Sequence, residues 1–261
     1  MRGLVLIPLM LLAACGGQSH KTAADNSAAA APTPTPMRAS EPVTLQAADG
    51  VKVVGRYQPA TNAKALILLF HQAESSKDEY RDIQPRLAEA GFASLAIDQR
   101  AGGRLFGINE TVAALGKPAD YLAAKQDLEA ALAWAKDRKL PVILWGSSYS
   151  ASLVFLVAAA HPGEVKALLA FSPGEYFGGG RDVENAAAKV DVPVFVTSSQ
   201  DPQEVADARA ILKPVPAAVK QQFVPTKGGV HGSSTLLKER NPEGAEAAWT
   251  AVLAFLSKVA G

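Results

Sequence analysis

Five residues near the middle of the chain, Gly146-Ser147-Ser148-Tyr149-Ser150, carry the strongest chemical signal. The apolar run VILW precedes them and SLVFLVAAA follows, so the turn joins a strand to a helix with Ser148 at its centre. A nucleophilic serine needs such a turn. The strained bend lifts the central Oγ above the sheet, and only small residues fit against the crowded backbone at either end. Gly146 and Ser150 meet that demand, serine standing where a second glycine is usual. Centring the turn on Ser147 would instead put Trp145 and Tyr149 at the positions that must be small.

A serine hydroxyl becomes a useful nucleophile when a base of near-neutral pKa takes its proton, and imidazole is the usual base. Of the four histidines, His20 falls in a stretch of Ala, Thr, Ser and Pro, and His161 precedes Pro162 at the far end of the helix after the serine turn. His71 and His231 both follow apolar runs. An acid that orients the imidazole would come from the last third of the chain, which offers Glu175, Asp182, Asp191, Asp201 and Glu204.

The elements that must position these groups are legible as apolar periodicities. Residues 65–71, 93–98, 142–146, 167–172 and 192–198 are continuous apolar runs, the pattern of strands buried on both faces. Residues 78–90, 119–139 and 152–161 have helical spacing between them, 243–259 closes the chain as another helix, and 43–57 predicts a hairpin around Asp49-Gly50. Strand and helix in strict succession predict an α/β fold, a mostly parallel sheet with helices on both faces. Ligands then sit outside the carboxyl ends of the strands. Polar residues cluster at those ends: His71-Gln72, Asp98-Gln99-Arg100, the serine turn, Ser172-Pro173-Gly174-Glu175, and Ser199-Gln200-Asp201-Pro202.

Over residues 43–261 this pattern resembles the α/β-hydrolase superfamily, nearest its small uncapped dienelactone-hydrolase-like and carboxylesterase-like members. The resemblance implies a nucleophile, an acid after the next-but-one strand and a histidine after the last, and so Ser148, Asp201 after the fifth strand and His231 after a sixth at 221–225. Position relative to a strand end favours Asp201 over the other acids. His71-Gln72 resembles the family's His-Gly strand end, which shapes the oxyanion loop and leaves His231 as the base. The implied oxyanion donors are the backbone N–H groups of Tyr149 and Gln72. Asp98-Gln99-Arg100-Ala101-Gly102-Gly103 resembles a structural turn of the family, with the Asp/Arg pair fixing a loop. The implied activity is hydrolysis of small or accessible carboxylic esters through an acyl-enzyme. A non-catalytic binding module on the same fold, or a peptidase or amidase with the same triad, are the competing classes. Short connections at 102–119 and 172–192 leave no room for a large lid, and Gly178-Gly179-Gly180 mark a mobile loop after Tyr176 and Phe177, placed to border a substrate pocket.

Composition narrows the remainder. With 26 Lys+Arg against 25 Asp+Glu, the chain has no excess positive charge with which to displace counterions from nucleic acid. At 48% hydrophobic residues it can bury a large core. No phosphate-binding glycine pattern and no closely spaced histidine pair occurs, so neither a metal nor an organic cofactor is expected. A short apolar run at 4–12 after Arg2 predicts a secretory leader. Leu12-Ala13-Ala14-Cys15 resembles the lipobox of bacterial lipoproteins, implying a signal peptide over 1–14, lipidation of Cys15 and a membrane anchor on the bacterial envelope, the outer membrane in a diderm. Residues 15–42, rich in Ala, Pro and Thr, read as a tether ahead of a catalytic domain at 43–261.

Overall fold

The computed structural model describes residues 38–261, together with Leu4. The leader, Cys15, His20 and most of the tether lie outside the described residues. The first strand, β1 (Glu41–Gln46), starts two residues ahead of the expected domain boundary. It forms the anticipated hairpin with β2 (Lys52–Gln58), whose turn needs the positive φ of Gly50.

Six further strands complete one sheet: β3 (Ala65–Phe70), β4 (Phe92–Ile97), β5 (Val142–Ser147), β6 (Ala167–Phe171), β7 (Val194–Thr197) and β8 (Lys220–Phe223). Their order is β1-β2-β4-β3-β5-β6-β7-β8. Pairings are antiparallel at β1/β2 and β2/β4 and parallel elsewhere. The continuous apolar runs are the central strands, where every residue of β3, β4 and β5 is buried. The polar sequence KQQF of β8 belongs at the edge, where one side of the strand meets no neighbour.

Among the described residues seven α-helices flank the sheet: α1 (Ile83–Glu89), α2 (Glu110–Leu115), α3 (Lys125–Lys136), α4 (Tyr149–Ala160), α5 (Asp182–Ala187), α6 (Pro202–Leu212) and α7 (Ala245–Ala260). Alternation along the strands feeds two cores. Leu66, Leu68 and Phe70 of β3 join α3, α4, α5 and α6 on one face, while Ala65, Ile67 and Leu69 join α1 and α7 on the other. The helix expected over 78–90 divides into a 3-10 turn, Lys77–Tyr80, and α1. Pro85 explains the break, because it has no N–H to offer a carbonyl one turn earlier. Helices α2, α5 and α6 were not expected from the periodicity. Ahead of α3 the connection after β4 holds only α2 and a 3-10 turn, and that after β6 only α5, so among the described residues no large cap covers the sheet.

Candidate active site

Ser148 sits at the strand-to-helix turn between β5 and α4 with φ 58° and ψ −125°, a conformation that costs a non-glycine residue on the order of 1–3 kcal/mol. The surroundings fix it there. The Ser148 N–H donates to the Phe171 carbonyl of β6 at 2.8 Å. A Cβ on Gly146 would run into the backbone of Ser150 and Ala151, so that position admits only glycine. Ser150, the departure from the usual small-residue pattern, gains a role: its hydroxyl donates to the His71 carbonyl at 2.7 Å and accepts from Gln99 Nε2 at 2.6 Å. The turn is thereby tied to the ends of β3 and β4.

His231, in the loop after β8, brings Nε2 to 2.8 Å from Ser148 Oγ. Its Nδ1 lies 2.9 Å from Oε1 of Glu204, not of Asp201. The expectation for the acid is therefore corrected. Asp201 is the N-cap of α6, exposed, its Oδ1 accepting from the N–H groups of Gln203 (2.8 Å) and Glu204 (3.2 Å). Pro202 starts the helix with the φ it prefers, and one turn of helix then carries Glu204 back toward the sheet. The other Glu204 oxygen accepts from Ser172 Oγ (2.8 Å) and the Ser199 N–H (3.1 Å). Burial opposes the charge on Glu204, but the hydrogen bonds from His231, Ser199 and Ser172 outweigh it and hold the carboxyl at about 2. Ser172, itself at φ 56°, also accepts the Gly232 N–H at 2.9 Å, so one hydroxyl joins the acid to the histidine loop.

Of the two expected oxyanion donors, Tyr149 N–H opens α4 and meets no acceptor among the described residues. Gln72 N–H is otherwise engaged, donating to Glu79 Oε2 at 2.9 Å. That corrects its assignment and exposes a residue the sequence did not single out. Glu79, in the 3-10 turn, is buried and accepts through Oε1 from the Ser147 hydroxyl at 2.7 Å. Ser147 Oγ in turn accepts the Ser233 N–H at 2.8 Å. Burial raises the Glu79 carboxyl above the usual range, against the pull of the bonds from Ser147 and Gln72. One carboxyl thus bridges the loop after β3, the serine turn and the histidine loop.

Among the described residues, His71, His161 and the Asp/Arg turn make structural contacts. His71 is fully buried, with Nδ1 2.8 Å from the Gln72 carbonyl and Nε2 accepting the Gln99 N–H at 3.0 Å. Burial lowers its pKa to about 4 against the opposing bond to Gln72, and the imidazole is neutral. His161 caps α4 beside Glu129 and Glu164. Asp98 and Arg100 fix loops with separate partners, Asp98 with Lys77 (2.9 Å) and Arg100 with Asp127 (2.8 Å) and Asp49.

The family model Hydrolase_4 (serine aminopeptidase, S33) matches residues 61–176, less than half of the chain, including Ser148 but ending before Glu204 and His231. No curated protein matches the chain. Among solved structures, an esterase of Pyrococcus furiosus is similar at a TM-score of 0.65 and 20% identity, over 85% of this chain and 93% of that one. A dienelactone hydrolase of Anabaena variabilis aligns at a TM-score of 0.66 and 19% identity, over 85% and 98% of the two chains. A carboxyl esterase of Bacillus coagulans gives 0.66 at 10% identity, over 86% and 100%. At these identities the likeness is one of fold, and the chain has the α/β-hydrolase fold.

Proposed function

We propose that the protein is a serine hydrolase that cleaves carboxylic esters of small or accessible acyl substrates through an acyl-enzyme on Ser148. The observation that carries the reading is the unbroken line Ser148 Oγ, His231 Nε2, His231 Nδ1, Glu204 Oε1, at 2.8 and 2.9 Å, set on a strained turn.

With Nδ1–H donated to Glu204, the free lone pair of His231 is on Nε2, facing the serine. As Oγ attacks the ester carbonyl carbon, Nε2 takes its proton and Glu204 stabilises the imidazolium. The carbonyl oxygen becomes an oxyanion beside the Tyr149 N–H. Because Gln72 N–H is held by Glu79, the second donor is the next amide in that loop, Ala73, which meets no acceptor among the described residues. The imidazolium then protonates the departing alcohol oxygen, and His231 next deprotonates the water that hydrolyses the acyl-enzyme. His231 keeps 39% of its side chain exposed, so water and substrate reach it directly. Esterase neighbours and the short connections around the site support an ester of modest size.

The test is labelling of residues 38–261 with a fluorescent fluorophosphonate. Wild type is expected to label, and Ser148→Ala and His231→Ala are expected to lose it by a factor on the order of 10⁴ or more. A folded wild type that takes no label refutes the reading.

A further inference from the structure

Beside the triad lies a cleft of about 290 Å³, walled on one side by Tyr121 and Leu122 and on the other by Tyr176, Phe177 and Gly178. Its apolar groups are unusually open to solvent for large side chains: Tyr121 is 38% exposed, Leu122 49% and Tyr176 36%. Both walls are attached to the reaction centre. Tyr176 donates its hydroxyl to the Ser172 carbonyl at 3.0 Å, and the Ser172 hydroxyl donates to Glu204 at 2.8 Å. The Tyr121 ring stacks on that of Tyr149, centroids 4.4 Å apart and planes 16° from parallel, and Tyr149 is the residue next to the nucleophile. Gly174 lets Tyr176 fold back in this way, since a Cβ there would lie 3.1 Å from its ring.

Size and lining define what fits. The cleft is at the small end of ligand sites and has room for an aromatic ring. Three aromatic side chains favour a planar partner that can stack or present its edge. Asp120 is the one charged lining residue, its Oδ1 accepting the Ala123 N–H, so no cation is at hand for an anionic group. We propose that this cleft receives a single neutral aromatic ring of the ester substrate, which makes aryl esters the preferred class. The assignment rests on Ser148 being the nucleophile but is testable apart from it.

Binding to Ser148→Ala, measured by calorimetry, separates recognition from turnover. Two pairs of probes serve: methyl 3-phenylpropanoate against its cyclohexyl analogue, with the ring on the acyl side, and benzyl acetate against cyclohexylmethyl acetate, with the ring on the alcohol side. The aryl member of at least one pair is expected to bind about fivefold to tenfold more tightly, and the pair that discriminates identifies the side of the ester that enters the cleft. Adding Phe177→Ala is expected to abolish that preference. Equal binding within both pairs, or a preference that survives Phe177→Ala, overturns the cleft assignment. Fluorophosphonate labelling of wild type decides the hydrolase reading separately, so the two can fail independently.

Discussion

Replacing Glu204 by Gln tests the site at its least expected member, because the geometry dictates how the amide must turn. Oε2 of Glu204 receives two donors, the Ser199 N–H at 3.1 Å and the Ser172 hydroxyl at 2.8 Å. The backbone donor cannot be reversed, so the amide oxygen must stay there and the NH₂ must face His231. Nδ1 then accepts instead of donating, the ring proton moves to Nε2, and the imidazole can no longer take a proton from Ser148. A wrong tautomer in an otherwise intact triad lowers kcat by about 10⁴, equivalent to about 5.5 kcal/mol of transition-state stabilisation. KM should change little. Asp201→Ala is the matched control. It removes two capping hydrogen bonds, costs about 1 kcal/mol of stability and lowers Tm by about 2–4 °C, leaving kcat within about threefold. Burst and steady-state kinetics on a nitrophenyl ester measure both variants. A Glu204→Gln enzyme with more than a tenth of wild-type kcat, or an Asp201→Ala enzyme as slow as Glu204→Gln, refutes the assignment.

Glu79→Gln sets an NH₂ group against one of two donors, Gln72 N–H or Ser147 O–H, and is expected to cost about 1–3 kcal/mol with a Tm lowered by about 2–10 °C. An unchanged melting curve would show that the carboxyl is not holding these segments. His71 has a pKa of about 4 when folded, against about 6.5 when unfolded. The unfolded state therefore binds the extra proton between those values, and stability falls by roughly 3 kcal/mol as pH drops from 6.5 to 4. Its ring resonances, assigned by their loss in His71→Gln, should stay fixed from pH 8 to 5; a midpoint above pH 5.5 contradicts the buried neutral imidazole.

The sheet was legible because its central strands are buried on both faces and so are written as unbroken apolar runs. The short helices α2 and α5 have no such signature. Ser148 and His231 could be found because a tight turn and a titratable ring are rare residue patterns. Glu204 was passed over in favour of Asp201 although Asp-Pro is an N-cap followed by an N1 proline. Once Asp201-Pro202 is read as the start of a helix, the Asp side chain is committed to backbone N–H groups, and the acid three residues on becomes the free carboxylate. Glu79 had no comparable sign, because it lies among charged residues at the start of the segment with helical spacing and its burial comes from packing against distant segments.

Three of the restraints on the serine turn precede residue 172: the Phe171 carbonyl, the link from Ser150 to His71 and Gln99, and the space left by Gly146. The groups that make the turn reactive arrive later, with α6 and the loop after β8. During synthesis the polypeptide therefore contains the nucleophile and these restraints before it contains either partner. A hydroxyl without its imidazole is chemically ordinary, so reactivity waits on the last quarter of the chain, which also supplies the edge strand β8.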